Sequence, residues 1–186
     1  MTRETLHRRL LLAAALLAVG TLFGETVIRQ HPRDIPTYPT ERQSYRGVKT
    51  KIAVCPLPVA GEMLTRALTN DGCRVVPAMP QCGLGQEGRP DCILEPISLV
   101  SKTERDGASV SLVTVLIVRV RKPVAFGETA CGRTFQGASR IELGDRKANA
   151  RGETETSQQE VAEGVRRSVE NLLRIPELKA VVAETR

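Results

Sequence analysis

Histidine is almost absent from this sequence, since the only two, His7 and His31, lie near its N-terminus. Everything beyond residue 31 therefore lacks the imidazole that Ser–His and Cys–His catalysis requires and that mixed zinc sites use. The phosphate-loop, dinucleotide-binding and nucleophile-elbow motifs are missing as well. The sequence accordingly predicts a protein that is not an enzyme and has no catalytic residues, no cofactor and no metal site.

Aromatic residues are also scarce, at 3% of the chain with no tryptophan. Nucleic-acid surfaces interleave basic residues with stacking aromatics, and too few aromatics are present to build one. The net charge of +6 is modest and well mixed along the chain, so no nucleic-acid partner is predicted. With 186 residues, 41% of them hydrophobic, the chain is long enough for one domain with an aliphatic core.

The N-terminus combines positive charge with an apolar run, as export signals do. The basic segment "MTRETLHRR" precedes the uninterrupted stretch "LLLAAALLAVGTLFG", residues 10–24. We expect residues 1–24 to be either a signal peptide, cleaved after the small residues Ala18 and Gly20, or an uncleaved anchor in the inner membrane. Either alternative predicts an exported, periplasmic domain. No cysteine directly follows the apolar run, so the sequence offers no lipidation site there.

Residues 25–48 contain three prolines among polar residues and no sustained hydrophobic period. This composition predicts an extended tether between the membrane or signal and the domain. The domain itself is expected over residues 49–178, followed by a short C-terminal tail, 179–186.

The domain opens with a strand, a helix and a second strand. Residues 51–58 and 73–80 are short apolar runs closed by prolines, which indicates strands. Between them, apolar residues recur at helical spacing, and Gly72 stands where a helix C-terminal glycine is common. The three elements predict a βαβ or split βαβ unit.

A long hairpin follows. Residues 109–121, "SVSLVTVLIVRVR", are rich in β-branched side chains and too short to cross a bilayer as a helix. Asp106-Gly107 is a favoured hairpin turn, and residues 92–104 form the apolar run on its other side. Residues 126–137 predict a third strand of this meander.

The clearest helix comes last. Ser157 and Glu160 have the spacing of a capping box, and five apolar residues after them share one helical face. Pro176 is expected to end this helix. The order is then β-α-β-β-β-β-α, an α+β domain with two helices packed on one face of a largely antiparallel sheet.

Five cysteines are present and none forms a Cys-x-x-Cys pair. Export permits disulfides, and Cys82 and Cys92 bracket a glycine-rich loop. We therefore predict a Cys82–Cys92 disulfide.

Strand periodicity divides residues 109–121 into two faces. The even-numbered residues from Val110 to Val120 form a nearly unbroken apolar face, which we assign to the core beneath the helices. The other face carries a candidate interaction surface, made of Val113, Val115, Ile117, Arg119 and Arg121. Either its three apolar residues are exposed beside the arginines, or the tether or a crossing loop covers them.

The order of these segments resembles the TolB amino-terminal-like domains of bacterial envelope proteins. The segments that carry the resemblance lie within residues 50–178 and include "KIAVCPLP", "GEMLTRALTNDGCRVV", "DCILEPISLV" and "QQEVAEGVRRSVENLLRIPEL". The resemblance implies a non-catalytic envelope-assembly module whose partners are other cell-envelope proteins. The alternative is a periplasmic domain that binds a small ligand or a glycan.

Overall fold

The computed structural model describes residues 35–77, 90–107, 109–123, 132–146 and 154–184. The strands are β1 (Lys51–Val54), β2 (Arg74–Pro77), β3 (Cys92–Asp106), β4 (Ser109–Arg121) and β5 (Gly132–Gly144). The helices are α1 (Ala60–Asn70), α2 (Gln158–Leu173) and α3 (Pro176–Glu184). The α+β class and the predicted order of elements are confirmed, with α3 as one further helix at the end.

The strands form one sheet in the order β2-β1-β3-β4-β5. Strand β1 runs parallel to both β2 and β3, so β1, α1 and β2 form the βαβ unit expected from the sequence. The longer pairings, β3 with β4 and β4 with β5, are antiparallel. The sheet is thus largely antiparallel, as predicted.

Strand β4 coincides with the run predicted at residues 109–121, and its hairpin with β3 is closed where expected. Asp106 pairs with Ser109, and Gly107 in the turn has a φ of 58°. Glycine adopts this left-handed conformation without the steric cost that a side chain would add. The turn sets the register of the hairpin as far as the β-bulge between Pro96 and Ser98, where the pairing shifts by one residue.

All three helices contribute to one core on one face of the sheet. The even-numbered residues of β4 are buried there, as predicted, including Leu116, Val118 and Val120. Pro176 starts α3, in keeping with the preference of proline for the first turn of a helix. The predicted tail is thereby corrected, because α3 continues to Glu184 and buries Val182 in the core.

The described segments include no helix that is both long and apolar enough to span a membrane.

Helix α2 approaches the sheet at two glycines. A Cβ on Gly137 of β5 would overlap the carbonyl oxygen of Ser168 and lie 2.7 Å from Cβ of Leu172. A Cβ on Gly164 of α2 would overlap the Thr114 hydroxyl. The helix therefore packs directly against the backbone of β5. Any larger side chain at these positions would increase the distance between α2 and the sheet.

Buried hydroxyl groups occupy the same contact, and each has a partner. The Ser168 hydroxyl donates to the carbonyl of Thr114 at 2.9 Å and lies 3.0 Å from the Ser139 hydroxyl. Ser139 in turn donates to the carbonyl of Gly164 at 2.8 Å. Because a buried polar group without a partner is costly, this network favours one position of α2 on the sheet.

The capping box at the start of α2 is confirmed. The Ser157 hydroxyl accepts from the Glu160 backbone N–H at 3.2 Å, and the Glu160 carboxylate accepts from the Ser157 backbone N–H at 2.8 Å. Hydrogen bonds lower the pKa of Glu160 to about 2, and the bond from the Arg146 side chain contributes more than the bond from the Ser157 backbone. The carboxylate therefore stays ionised, and its cap stays intact, at any pH well above that value.

Strand β5 extends further than predicted. Its described residues run from Gly132 to Gly144, seven residues beyond the expected end at 137. Residues 138–144 keep the alternation of a strand, because Ser139 and Ile141 face the helices while Arg140 between them points away.

The described part of the expected tether packs on the domain, whereas residues 1–34, with the predicted signal or anchor, lie outside the described residues. Residues 35–48, which we call the strap, have no regular secondary structure. Tyr45 is 1% exposed within the core, and its backbone N–H donates to the Asp71 carboxylate at 3.3 Å. Arg42 pairs with the same carboxylate at 3.0 Å. Both tyrosines of the chain lie in the strap, and burying an aromatic ring offsets the cost of ordering the segment.

We predict that Gly137→Ala destabilises the domain by about 1–3 kcal/mol, the usual cost of overpacking a tight contact. The free energy of unfolding, measured by urea denaturation, would show the loss. Gln136→Ala, one residue away and facing the opposite side of the sheet, is the control and should change stability by less than about 0.5 kcal/mol. Equal stability of Gly137→Ala and the wild type would mean that α2 does not touch β5.

Candidate interaction surface

The face of the sheet away from the helices is covered by no helix of the described segments. Cross-strand partners point to the same side of a sheet, so the register defines this face row by row. Val115 lies between Val100 of β3 and Ala138 of β5, and Ile117 lies between Ser98 and Gln136. We call Val100, Val115 and Ile117 the apolar strip.

Burial differs along this face. Val100 is 51% exposed, which makes it one of the most exposed large apolar residues of the described chain. Val115 and Ile117 are partly buried by their neighbours in the sheet. The strip is therefore a shallow apolar surface that solvent reaches chiefly at Val100.

A charged cluster bounds the strip toward the hairpin turn. Lys102 and Arg140 flank Val113 in the sheet, and both pair with Glu104, at 3.1 and 3.0 Å. Val113 is only 1% exposed between them. Of the two alternatives for this face, exposure does not hold for Val113, which lies between the long side chains of these flanking residues.

A second charged cluster bounds the other end. Glu95 accepts from the Arg121 guanidinium at 3.4 Å and lies 3.9 Å from that of Arg119. Both arginines are partly buried and share the face of Val115, as the sequence predicts. Four of the five predicted surface residues thus remain at least partly accessible on this face.

Val100 was missed by sequence reasoning although a signal for it existed. The Asp-Gly turn pairs Asp106 with Ser109, and counting back along both strands places Val100 opposite Val115. The turn alone thus indicated that an apolar residue of β3 extends the surface.

The disulfide prediction lies partly outside the described residues, because Cys82 is not among them. Cys92 begins β3 with its side chain fully buried in the core. Cys73 is buried too, and burial raises the pKa of its thiol. The Cys82–Cys92 bond stays a prediction. In the ranges that the structure covers, no three metal-ligating side chains come together.

The outer edge of β5 is closed at its centre by the strap and by α2. The Tyr38 hydroxyl donates to the carbonyl of Gln136 at 3.1 Å and accepts from the Ala138 N–H at 2.8 Å. The Asn171 amide donates to the carbonyl of Ala138 at 2.7 Å. Burial raises the pKa of the Tyr38 hydroxyl above its usual value, and the hydrogen bond from the Ala138 N–H lowers it by less. These bonds occupy backbone groups that another strand would otherwise pair with.

We predict that Tyr38→Phe lowers the free energy of unfolding by about 1–2 kcal/mol, because it removes a hydroxyl bonded to two backbone groups. Thermal and urea denaturation measure the change. Tyr45→Phe is the matched control, since the buried Tyr45 hydroxyl has no hydrogen-bond partner and its removal should be neutral or stabilising. Loss of stability in Tyr45→Phe but not in Tyr38→Phe would contradict the role given to the strap.

No protein-family model matches the sequence, and no curated protein sequence matches it. The solved structures that are similar to it in backbone arrangement include two bacterial lipoproteins. A minor lipoprotein from Acinetobacter baumannii has a TM-score of 0.44 and 13% identity, covering 73% of this chain and 92% of its own. Rare lipoprotein B from Shewanella oneidensis has a TM-score of 0.40 and 15% identity, covering 66% and 89%. At these values the likeness assigns neither a family nor a function.

Proposed function

We propose that this protein is a non-catalytic module of the bacterial cell envelope that binds another envelope protein through the apolar strip. One observation carries the proposal. The sheet packs all three helices on one face, and its other face presents apolar side chains between two charged clusters. An apolar centre with a polar rim is typical of protein-binding surfaces.

The charges around the strip favour an acidic partner. The two clusters together contain four cations and two carboxylates, namely Lys102, Arg119, Arg121, Arg140, Glu95 and Glu104. Within these clusters two positive charges are in excess, and Glu142, in the next row of the same face, offsets one of them. A partner with an apolar patch bordered by acidic residues would match the strip in both respects.

The proposed cellular compartment is inferred from the sequence. The basic and apolar N-terminal segments indicate export, and the resemblance to TolB amino-terminal-like domains supports a role in envelope assembly. The Pro-containing segment before the strap would hold the domain near the membrane if the apolar run is not cleaved.

Site-specific photo-crosslinking in the native cells tests this proposal. A photoreactive amino acid at Val100 or Lys102 should crosslink to one envelope protein. The same residue at Val59, which is 43% exposed at the start of α1, should not. The crosslinked surface of the partner should be acidic, and its binding to the purified protein should weaken as salt rises. Equal crosslinking from Val59 would refute the proposed surface.

We predict that Val100→Asp leaves the fold intact and weakens partner binding at least tenfold. The side chain is half exposed in the free protein, whereas an interface would bury the new carboxylate without a partner, at a cost above about 1.4 kcal/mol. Val59→Asp is the matched control and should bind normally. Circular dichroism checks folding, and crosslinking from Lys102 reports binding. Unchanged crosslinking in folded Val100→Asp would contradict the proposal.

A further inference from the structure

An open groove of about 610 Å³ runs between the outer edge of β5 and the exposed side of α2. Its lining is unusually rich in arginine. Four of the nine described residues that line it are Arg140, Arg166, Arg167 and Arg174, and Glu170 is the one carboxylate among those nine. The groove adjoins the apolar strip, because Ala138 and Arg140 line the groove and also lie beside β4 residues of the strip's face.

Three of the four arginines already pair with carboxylates. Arg166 pairs with Glu163 and Glu170 on its own helix, and Arg167 pairs with Glu163 at 2.8 Å. Arg140 pairs with Glu104, as described above. The charges of Arg166 and Arg167 are therefore balanced locally, and these side chains are held in place along the groove wall.

Arg174 differs from the other three. It pairs with no carboxylate of the described chain, and one of its terminal nitrogens donates to the Asn171 side-chain oxygen at 3.3 Å. Its Nε is buried and has no hydrogen-bond partner among the described residues. Asn171 is itself fixed by its bond to the Ala138 carbonyl, so the guanidinium is oriented rather than free. Among the described residues that line the groove, Arg174 is therefore the arginine whose charge no carboxylate balances, so its exposed guanidinium nitrogens can pair with an anion that enters the groove.

We propose that this groove binds a phosphate group, with Arg174 as its principal ligand and Arg167 and Arg140 as supporting cations. A guanidinium presents donors in a planar fork that suits phosphate oxygens. Arg174 contributes one uncompensated positive charge, and Arg140 with Lys102 and Glu104 contributes a second. A phosphate monoester carries about two negative charges at neutral pH and would balance both, whereas a carboxylate would balance one.

Phosphate groups could reach the groove from a free phosphate compound or from a lipid headgroup, and the two sources can be separated. Calorimetry on the full chain with glycerol phosphate, and with glycerol as control, tests the free ligand. Vesicles of phosphatidylcholine with and without phosphatidic acid test the lipid. Binding to glycerol phosphate alone assigns a free compound, and vesicle binding displaced by glycerol phosphate assigns the headgroup. No binding in either arm would overturn the proposal.

We predict that Arg174→Gln weakens glycerol phosphate binding about tenfold or more, the usual effect of losing a charge-assisted hydrogen bond. Arg167→Gln, on the helix surface, should weaken binding by a smaller factor. This variant replaces Arg174→Gln in the test if Arg174→Gln fails to fold. Arg133→Gln, on β5 outside the groove, is the control and should bind as the wild type does. Affinity should also rise as the pH increases through about 6, where the ligand gains its second charge while the arginines stay protonated.

Equal affinities of Arg174→Gln and Arg133→Gln would refute the assignment of the groove. This outcome is independent of the proposed protein partner, because crosslinking from Val100 reports the apolar strip and not Arg174.

Discussion

The contact between α2 and β5 is the constraint on which the rest of the structure depends. Gly137 and Gly164 let the helix rest on the sheet, and the hydroxyl groups of Ser139 and Ser168 form hydrogen bonds across this contact. With few aromatic residues available, the domain cannot fill a wide gap with large side chains. Close approach between small residues keeps the aliphatic core dense instead.

This position of α2 determines which face of the sheet is buried and which face is exposed. The even-numbered face of β4 is sealed beneath the helices. The opposite face keeps its apolar residues, and charged pairs border them at both ends. Helix α2 also holds Asn171 at the edge of β5, where it orients Arg174 and closes part of the edge together with Tyr38. The position of α2 on β5 thus determines the geometry of the strip, the groove and the protected edge of β5.

Local signals in the sequence predicted most of the fold. The alternation of β4, the Asp-Gly turn and the capping box at Ser157 each depend on neighbouring residues, and each is confirmed. The length of β5, the helix after Pro176 and the packing of the strap were not foreseen. These features arise from tertiary contacts, such as the burial of Tyr45 and Val182, that override a polar or proline-containing local composition.

The surfaces were harder to predict than the fold. Strand alternation identifies which face Val113 occupies but not that Lys102 and Arg140 shield it, because shielding depends on residues of two other strands. The arginine groove combines residues of β5 and α2 that are distant in sequence. No local pattern brings such residues together, so only the docking of α2 defines that site.

The central claim is that one face of the sheet is sealed and the other is open. Methyl NMR with a soluble paramagnetic probe tests it directly on the purified full chain. We expect strong attenuation of the Val100 methyl signals, intermediate attenuation for Val115 and Ile117, and protection of Leu116 and Val118. Equal protection of Val100 and Leu116 would contradict it, because some part of the chain would then cover the face proposed to bind a partner.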